Sequence, residues 1–177
     1  MMTRFLSLLL ILLVAVGFTS VGQNKYIGVK MCSMCHKADK TGNQFGVWQK
    51  SKHAEAYKVL TGDKAAEIAK AKGIKSAAEA PECLECHGAV DAKLAEKSYD
   101  VKDGVQCEVC HGAGSAYKNM AIMKDHAKAV GAGLRDLKDM AAVEKLCVTC
   151  HNEKSPTHKA FKVDEMWAKI KHNVPKG

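Results

Sequence analysis

The chain has 177 residues, of which 47% are hydrophobic, and its 27 lysines and arginines against 19 acidic residues give a formal net charge of +8. This length suits a single domain and leaves little room for a second core. A basic excess would ordinarily suggest nucleic acid or an anionic membrane surface as partner, but the cysteine motifs described below account for it differently.

The N-terminus has the pattern of an export signal. Arg4 precedes an apolar stretch from Phe5 to Phe18, and small residues follow up to Gly22. This pattern predicts a signal peptide over residues 1–22 and a mature domain over residues 23–177. The apolar stretch is shorter than the ~20 residues that cross a bilayer, and an uncleaved membrane anchor is the alternative. We therefore expect a periplasmic protein, with an extracellular or membrane-associated location as the other options.

Every cysteine of the chain lies in one repeated pattern, Cys-x-x-Cys-His. The two thiols of this pattern attach a c-type haem through its vinyl groups, and the histidine becomes the proximal iron ligand. Four copies with no cysteine left over predict four covalently bound haem c groups. The copies are Cys32, Cys35 and His36; Cys83, Cys86 and His87; Cys107, Cys110 and His111; and Cys147, Cys150 and His151.

Two other interpretations of the cysteines are weaker. Four Cys-x-x-Cys pairs could form two Cys₄ zinc sites or four redox-active dithiols. Neither explains why histidine, only 8 of 177 residues, follows every pair. Covalent haem is installed outside the cytoplasm in bacteria, which agrees with the export signal. The propionates of four haems would offset most of the basic excess, so we do not expect a nucleic-acid partner.

The mature chain is predicted to be mainly α-helical, because it is rich in Ala, Lys, Glu and Met and has only three prolines. Roughly 40 residues per haem cannot bury four macrocycles beneath a separate protein core. Helices should therefore wrap around the haems. In chain order, helices are predicted over 46–60, over 64–72 with Asp63 as N-cap, from Pro81 into the second motif, over 115–130, over 134–146, and through Val163, Met166, Trp167 and Ile170.

Four further histidines, His53, His126, His158 and His172, equal the predicted irons in number. His53 and His126 fall in predicted helices beside apolar strips, which suits distal ligands. His172 follows the last helix, whereas His158 lies in a loop seven residues after the fourth motif. The alternative for each is an exposed surface histidine. The helical methionines are better explained by core packing, and bis-histidine haems should have lower potentials than His/Met haems.

The residues around the motifs resemble the tetraheme cytochrome c-554 family from about Gly28 to His172. The stretches are Trp48-Gln-Lys-Ser51-Lys-His53-Ala, Gly104-Val-Gln-Cys107-Glu-Val-Cys110-His111-Gly-Ala-Gly114 and Phe161-Lys-Val-Asp-Glu-Met166. The resemblance implies a mostly helical fold with haems in stacked and perpendicular pairs. It also implies redox protein partners in the periplasm, with transient contact with a quinone-linked membrane cytochrome.

The same resemblance implies a set of distal ligands. It places His53 on the third haem and His126 on the first, and it leaves the second haem five-coordinate. One departure matters, because the family pattern has a distal histidine five residues before the fourth motif, where this chain has Ala142. We expect His172, or else His158, to replace it, and the remaining histidine could close the second haem.

These observations predict an electron carrier without catalytic residues. No nucleophile–base pair, nucleotide motif or paired carboxylate site is evident in the sequence. One alternative is a reductase of nitric oxide, hydroxylamine or peroxide at a five-coordinate haem. Another is a subunit of a haem filament or of an extracellular electron conduit.

Overall fold

The computed structural model describes residues 23–172 and residue 174. The predicted signal peptide lies outside these described residues. Within them the chain forms short helices and no β-strand, apart from one isolated parallel bridge between Tyr26 and Ala95. The prediction of a mainly α-helical fold is thus confirmed. No helix in this part of the chain is long and apolar enough to cross a membrane.

Each of the four motifs begins within a helix. In the described chain the helices are α1 (Val29–His36), α2 (Gln44–Gln49), α3 (Asp63–Ala71), α4 (Pro81–His87), α5 (Cys107–His111), α6 (Met120–Met123), α7 (His126–Gly131), α8 (Met140–Cys147) and α9 (Val163–Ile170). Shorter 3₁₀ turns span Asp39–Thr41, Lys58–Thr61, Ala92–Leu94 and Val101–Asp103. Helices α1, α4 and α5 each end at a motif histidine, and α8 ends at the first cysteine of the fourth motif.

Three predicted helices lie where the sequence indicated. Helix α3 covers nearly all of 64–72 and is followed by Gly73 at a φ of +70°, although Gly62 rather than Asp63 is its N-cap. Helix α4 begins with Pro81 at its first position, where the missing N–H costs nothing. Helix α9 carries the predicted apolar face of the last helix.

The helix predicted over 115–130 is wrong in extent. Two short helices, α6 and α7, stand in its place. The side chain of Asn119 accepts a hydrogen bond from the N–H of Ala121, and that of Asp125 accepts one from the N–H of Lys128. Each bond caps a new helix N-terminus, so the chain starts a helix twice instead of continuing one.

The helix predicted over 134–146 begins late, at Met140, where Asp139 provides the N-cap. The residues before it run along the third motif instead. Arg135 donates from Nη1 to the carbonyls of Val109 and Cys110, at 2.8 and 2.9 Å. These carbonyls belong to the last turn of α5 and have no partner within so short a helix. Because Arg135 is hydrogen-bonded to these two carbonyls, the segment around it does not form the first part of the predicted helix.

The protein's own hydrophobic core is small. Four of the nine buried hydrophobic residues in the described chain are alanines, and two of the three largest fully buried side chains are polar. A domain of this size normally buries a larger apolar set. A small core is what we expect if attached groups supply much of the interior. The nine residues are Ile27, Val29, Leu60, Ala69, Ala77, Ala80, Tyr117, Ala129 and Val143.

Candidate haem-binding site

A buried carboxylate holds the third motif to the segment that enters α1. Glu108 lies between the two cysteines of this motif and is 1% exposed. Its carboxylate accepts hydrogen bonds from the N–H of Ile27 at 2.9 Å, of Gly28 at 2.7 Å and of Gly114 at 2.6 Å. Hydrogen bonds to a charged acceptor are stronger than neutral ones. Glu108 therefore fixes the start of the first motif against the third.

Gln106 extends the same contact on the other side of Cys107. Its side-chain carbonyl accepts from the N–H of Val29, and its amide donates to the carbonyl of Asp100, both at 2.7 Å. Polar residues next to a motif cysteine would ordinarily be assigned to the surface, so nothing in the sequence predicts that Gln106 and Glu108 are buried. Only their contacts with the backbone show that they are structural.

The first and third motifs consequently lie side by side. The thiols of Cys32 and Cys107 lie close enough to interact. This interaction, together with burial, raises the pKa of Cys32 far above its ordinary value. Each of these thiols is the first cysteine of its motif, so two predicted haem attachment points are neighbours at this position.

The second and fourth motifs form another pair. Burial, together with the neighbouring Cys150 thiol, raises the pKa of Cys86 to about 11. Next to this contact, Lys154 Nζ lies 3.8 Å from a carboxylate oxygen of Glu85. The two pairs of motifs are also neighbours of each other, because Cys110 of the third motif lies near Cys147 of the fourth. Burial, and secondarily the Cys147 thiol, raises the pKa of Cys110 to about 11.

In two of the motif histidines, His87 and His36, a hydrogen bond fixes which ring nitrogen is protonated. Nδ1 of His87 lies 2.5 Å from the carbonyl oxygen of Ala56, and Nδ1 of His36 lies 3.2 Å from Oε1 of Gln44. A carbonyl can only accept, so Nδ1 is the protonated nitrogen in both rings. The lone pair is then on Nε2, the arrangement usual for a metal-bound histidine.

His53 lies in turns, not in the predicted helix over 46–60. Helix α2 ends at Gln49, and the chain returns to a 3₁₀ turn only at Lys58. The carbonyl of His53 accepts a hydrogen bond from the N–H of Val105 at 2.9 Å, which ties the turn to the segment before the third motif. Trp48 Nε1 donates to the carbonyl of Val105 at 2.8 Å, adding to this connection.

The imidazole of His53, by contrast, lies against the fourth motif. Its ring centroid is 6.1 Å from that of His151, with 60° between the ring planes. The ring of Phe161 stacks on His151 at 4.2 Å and 10°, which fixes the orientation of the His151 imidazole. Burial, and secondarily the neighbouring His151, lowers the pKa of His53, so the ring is held in the neutral form that binds metals.

His172 lies against the third motif. Its ring centroid is 5.7 Å from that of His111, with 36° between the planes. Burial, followed by the proximity of His172 and His36, lowers the pKa of His111 to about 4. Nδ1 of His172 is buried without a hydrogen-bond partner. An unsatisfied buried ring nitrogen is costly in a protein interior and is typical of an incomplete binding site.

The other two candidate ligands are more exposed. The side chain of His126 is 49% exposed, and its Nε2 lies 3.0 Å from a carboxylate oxygen of Asp136. His158 is exposed and lies near His151. Burial, and secondarily the neighbouring His158, lowers the pKa of His151. Among the described residues, no group of three Cys, His, Asp or Glu side chains converges as ligands for one metal ion.

Gly104 offers a test of how His53 is positioned. Its φ is +78°, and an added Cβ would lie 2.5 Å from the carbonyl oxygen of His53. Gly104→Ala should therefore both strain the backbone and displace His53, which we expect to lower the free energy of unfolding by more than about 2 kcal/mol. Denaturant unfolding of the haem-loaded protein measures this change.

Gly73→Ala is the matched control for Gly104→Ala. Gly73 has a similar φ of +70°, but an added Cβ would meet no atom within 4 Å. Backbone strain alone should cost about 1–2 kcal/mol. Equal losses in the two variants would show that the contact between Gly104 and His53 does not matter.

The arrangement of these residues fits covalent haem. Two motif imidazoles have their lone pair on Nε2, and the partly buried imidazoles of His53 and His172 lie beside motif histidines. Nδ1 of His172 is buried without a hydrogen-bond partner. Thiols of the first and third motifs are neighbours, as are thiols of the second and fourth, and the polypeptide supplies only a small core.

Comparison with known proteins gives the same assignment. The family model described as cytochrome c554 and c-prime matches residues 31–112, which contain the first three motifs. Cytochrome c-554 of Nitrosomonas europaea is 29% identical over 139 residues, covering 70% of this chain and 56% of that protein. The chain thus spans little more than half the length of this curated relative, and no solved structure matches. These matches confirm the resemblance to the cytochrome c-554 family that is seen around the motifs.

Proposed function

We propose that this chain carries four c-type haems and transfers electrons between redox proteins in the periplasm. The observation that supports this most strongly is the pairing of the motifs, first with third and second with fourth, through contacts between their cysteines. Haems attached at neighbouring cysteines would be close to each other. Closely spaced haems allow an electron to enter at one end of the molecule and leave at the other.

The chain's own residues perform three tasks in this function. The eight motif cysteines would attach the haems, and the irons would be held by His36, His87, His111 and His151. When bound, each haem supplies one-electron redox chemistry. Glu108 and Gln106 hold the first and third motifs at a fixed separation, and burial keeps His111 and His53 neutral so that they bind iron.

The partners required by this function are a donor and an acceptor redox protein. We include among them transient contact with a quinone-linked membrane cytochrome, as the family resemblance implies. The periplasmic location rests on the predicted signal peptide and on the need for haem attachment outside the cytoplasm.

A second function is supported by the surroundings of the second motif. Cys83 and Leu84 pack against an aliphatic cluster of Leu60, Ala69 and Ala77, while His53 and His172 lie beside other motifs. An iron at the second motif with an open distal side would bind nitric oxide, hydroxylamine or peroxide. Rapid binding of carbon monoxide to the reduced wild-type protein, at about one site per molecule, would favour this reductase function.

The haem count is the direct test of the proposed function. We expect the mature protein to have the mass of residues 23–177 plus four haems, and reductive titration to take up four electrons per molecule. A Cys83→Ala/Cys86→Ala variant should lose one haem and one electron, which calibrates both measurements. Fewer than four haems on fully matured wild-type protein would contradict the proposal.

A further inference from the structure

We propose that the buried carboxylate of Glu108 lowers the reduction potentials of the first and third haems, in addition to joining their motifs. This inference deepens the proposed function and rests on the proposed haem content. It requires that Glu108 be charged, buried, without a counter-ion and close to both haem attachment points.

The hydrogen bonds of Glu108 hold its carboxylate in the ionised form. One oxygen accepts from the N–H of Gly114 at 2.6 Å, and the other accepts from the N–H of Gly28 at 2.7 Å. The N–H of Ile27 lies 2.9 and 3.0 Å from the two oxygens. All three groups are donors, and none can accept a hydrogen bond from a protonated carboxyl group. Such bonds favour the charged form even though the side chain is buried.

No cation neutralises this charge directly. Among the described residues, no lysine, arginine or histidine forms an ion pair with Glu108. Arg135 contacts the same motif, but it is exposed and its guanidinium donates to the carbonyls of Val109 and Cys110. Water screens a charge at the surface far more than a charge on a side chain that is 1% exposed. The negative charge of Glu108 therefore outweighs that of Arg135 inside the motif.

The charge lies close to both haem attachment regions. Glu108 directly follows Cys107 in the third motif, and its partner Gly28 is the N-cap of α1, which contains the first motif. Burial, followed by the negative charge of Glu108, raises the pKa of Tyr99 and that of Tyr117, so the field extends beyond the hydrogen bonds of the carboxylate. The corresponding positions of the other three motifs hold uncharged residues, Ser33, Leu84 and Val148.

A fixed negative charge next to a haem makes its reduction less favourable. Reduction adds one electron, and the repulsion between this electron and the carboxylate is weakly screened in a buried site, where the effective dielectric constant is low. The ferric form is stabilised relative to the ferrous form, and the reduction potential falls. Because the repulsion weakens with distance, the haems of the second and fourth motifs should be affected less.

Spectroelectrochemical titration of Glu108→Gln tests the proposal. The substitution nearly keeps the shape of the side chain and removes its charge, so two of the four potentials should shift upward while the other two change less. Both upward shifts should persist when the second haem is removed by Cys83→Ala/Cys86→Ala. Mere opening of the contact between the motifs would act in the opposite direction, because water stabilises the positive charge of the ferric iron–porphyrin unit.

Gln106→Leu is the matched control. Gln106 is also 1% exposed and also joins the third motif to α1, through the N–H of Val29, but it carries no charge. This variant should weaken the same contact without an upward shift, and Glu108→Asp, which retains the charge, should keep the potentials near those of the wild type. Equal upward shifts in Gln106→Leu and Glu108→Gln would overturn the proposal. So would unchanged or lowered potentials in Glu108→Gln, or the disappearance of an upward shift together with the second haem.

Infrared difference spectra of the wild-type holoprotein decide the question if Glu108→Gln fails to fold. With ¹³C-labelled glutamate, a carboxylate band should shift when the protein is reduced, and Glu108→Asp with unlabelled aspartate should lose this signal. A band from a protonated Glu108, or no response of its carboxylate to reduction, would contradict the inference. Haem number is measured by mass on the same samples. Fewer than four haems would contradict the proposed function, whereas four haems with unshifted potentials would contradict only the role of Glu108.

Discussion

The polypeptide made without its haems is expected to show no cooperative unfolding transition. Among the described residues only four aliphatic side chains larger than alanine are buried: Ile27, Val29, Leu60 and Val143. Burial of one such side chain contributes about 1.5–3 kcal/mol, while ordering the backbone costs about 1–2 kcal/mol for every residue. The apolar chain alone is therefore far too small a core for a domain of this length, and the attached macrocycles have to complete it.

Expression of the same sequence with and without the cytochrome c maturation system measures this dependence. The haem-loaded protein should be helical by far-ultraviolet circular dichroism and should melt cooperatively. The haem-free product should be largely unfolded and should be degraded rapidly in cells. A haem-free protein with helical content and a sharp melting transition would contradict the expectation and would show that the short helices form a sufficient core by themselves.

The helices that could be predicted from the sequence are those with local signals. Pro81 at the start of α4, Gly73 after α3 and the apolar spacing of α9 all act within a few residues, and the structure follows them. The longer helices were overestimated because capping by Asn119 and Asp125, and the contact of Arg135 with α5, end or delay them. Such a contact joins residues about 25 positions apart, which a local pattern does not reveal.

In the candidate site, too, some features follow from local sequence patterns and others depend on contacts between distant residues. The Cys-x-x-Cys-His pattern predicts the haem attachment residues, since its chemistry is local. The pairing of motifs and the partner of each distal histidine depend on contacts between distant segments. His53 demonstrates this, because its sequence neighbourhood resembles that of a ligand for the third haem while its ring lies beside His151.

The Glu108→Gln substitution should cause the second large effect. The glutamine side chain has nearly the same shape, but only one oxygen remains for the N–H groups of Ile27, Gly28 and Gly114, and an NH₂ group replaces the other. At least one buried N–H then faces another donor. We expect a loss of about 3–5 kcal/mol in the free energy of unfolding, together with altered haem spectra as the first motif separates from the third.

Glu85→Gln provides a control for this experiment within the same kind of motif. Glu85 also lies between two motif cysteines, but its side chain is 53% exposed and its ion pair with Lys154 spans 3.8 Å. Exposed pairs of this kind contribute about 0–1 kcal/mol, so this variant should unfold almost like the wild type. Denaturant unfolding of both variants, each carrying four haems, gives the comparison. If Glu108→Gln lowered the free energy of unfolding as little as Glu85→Gln, the Glu108 carboxylate could not be what joins the first and third motifs. The spacing of the haems would then have to be set by the cofactors themselves.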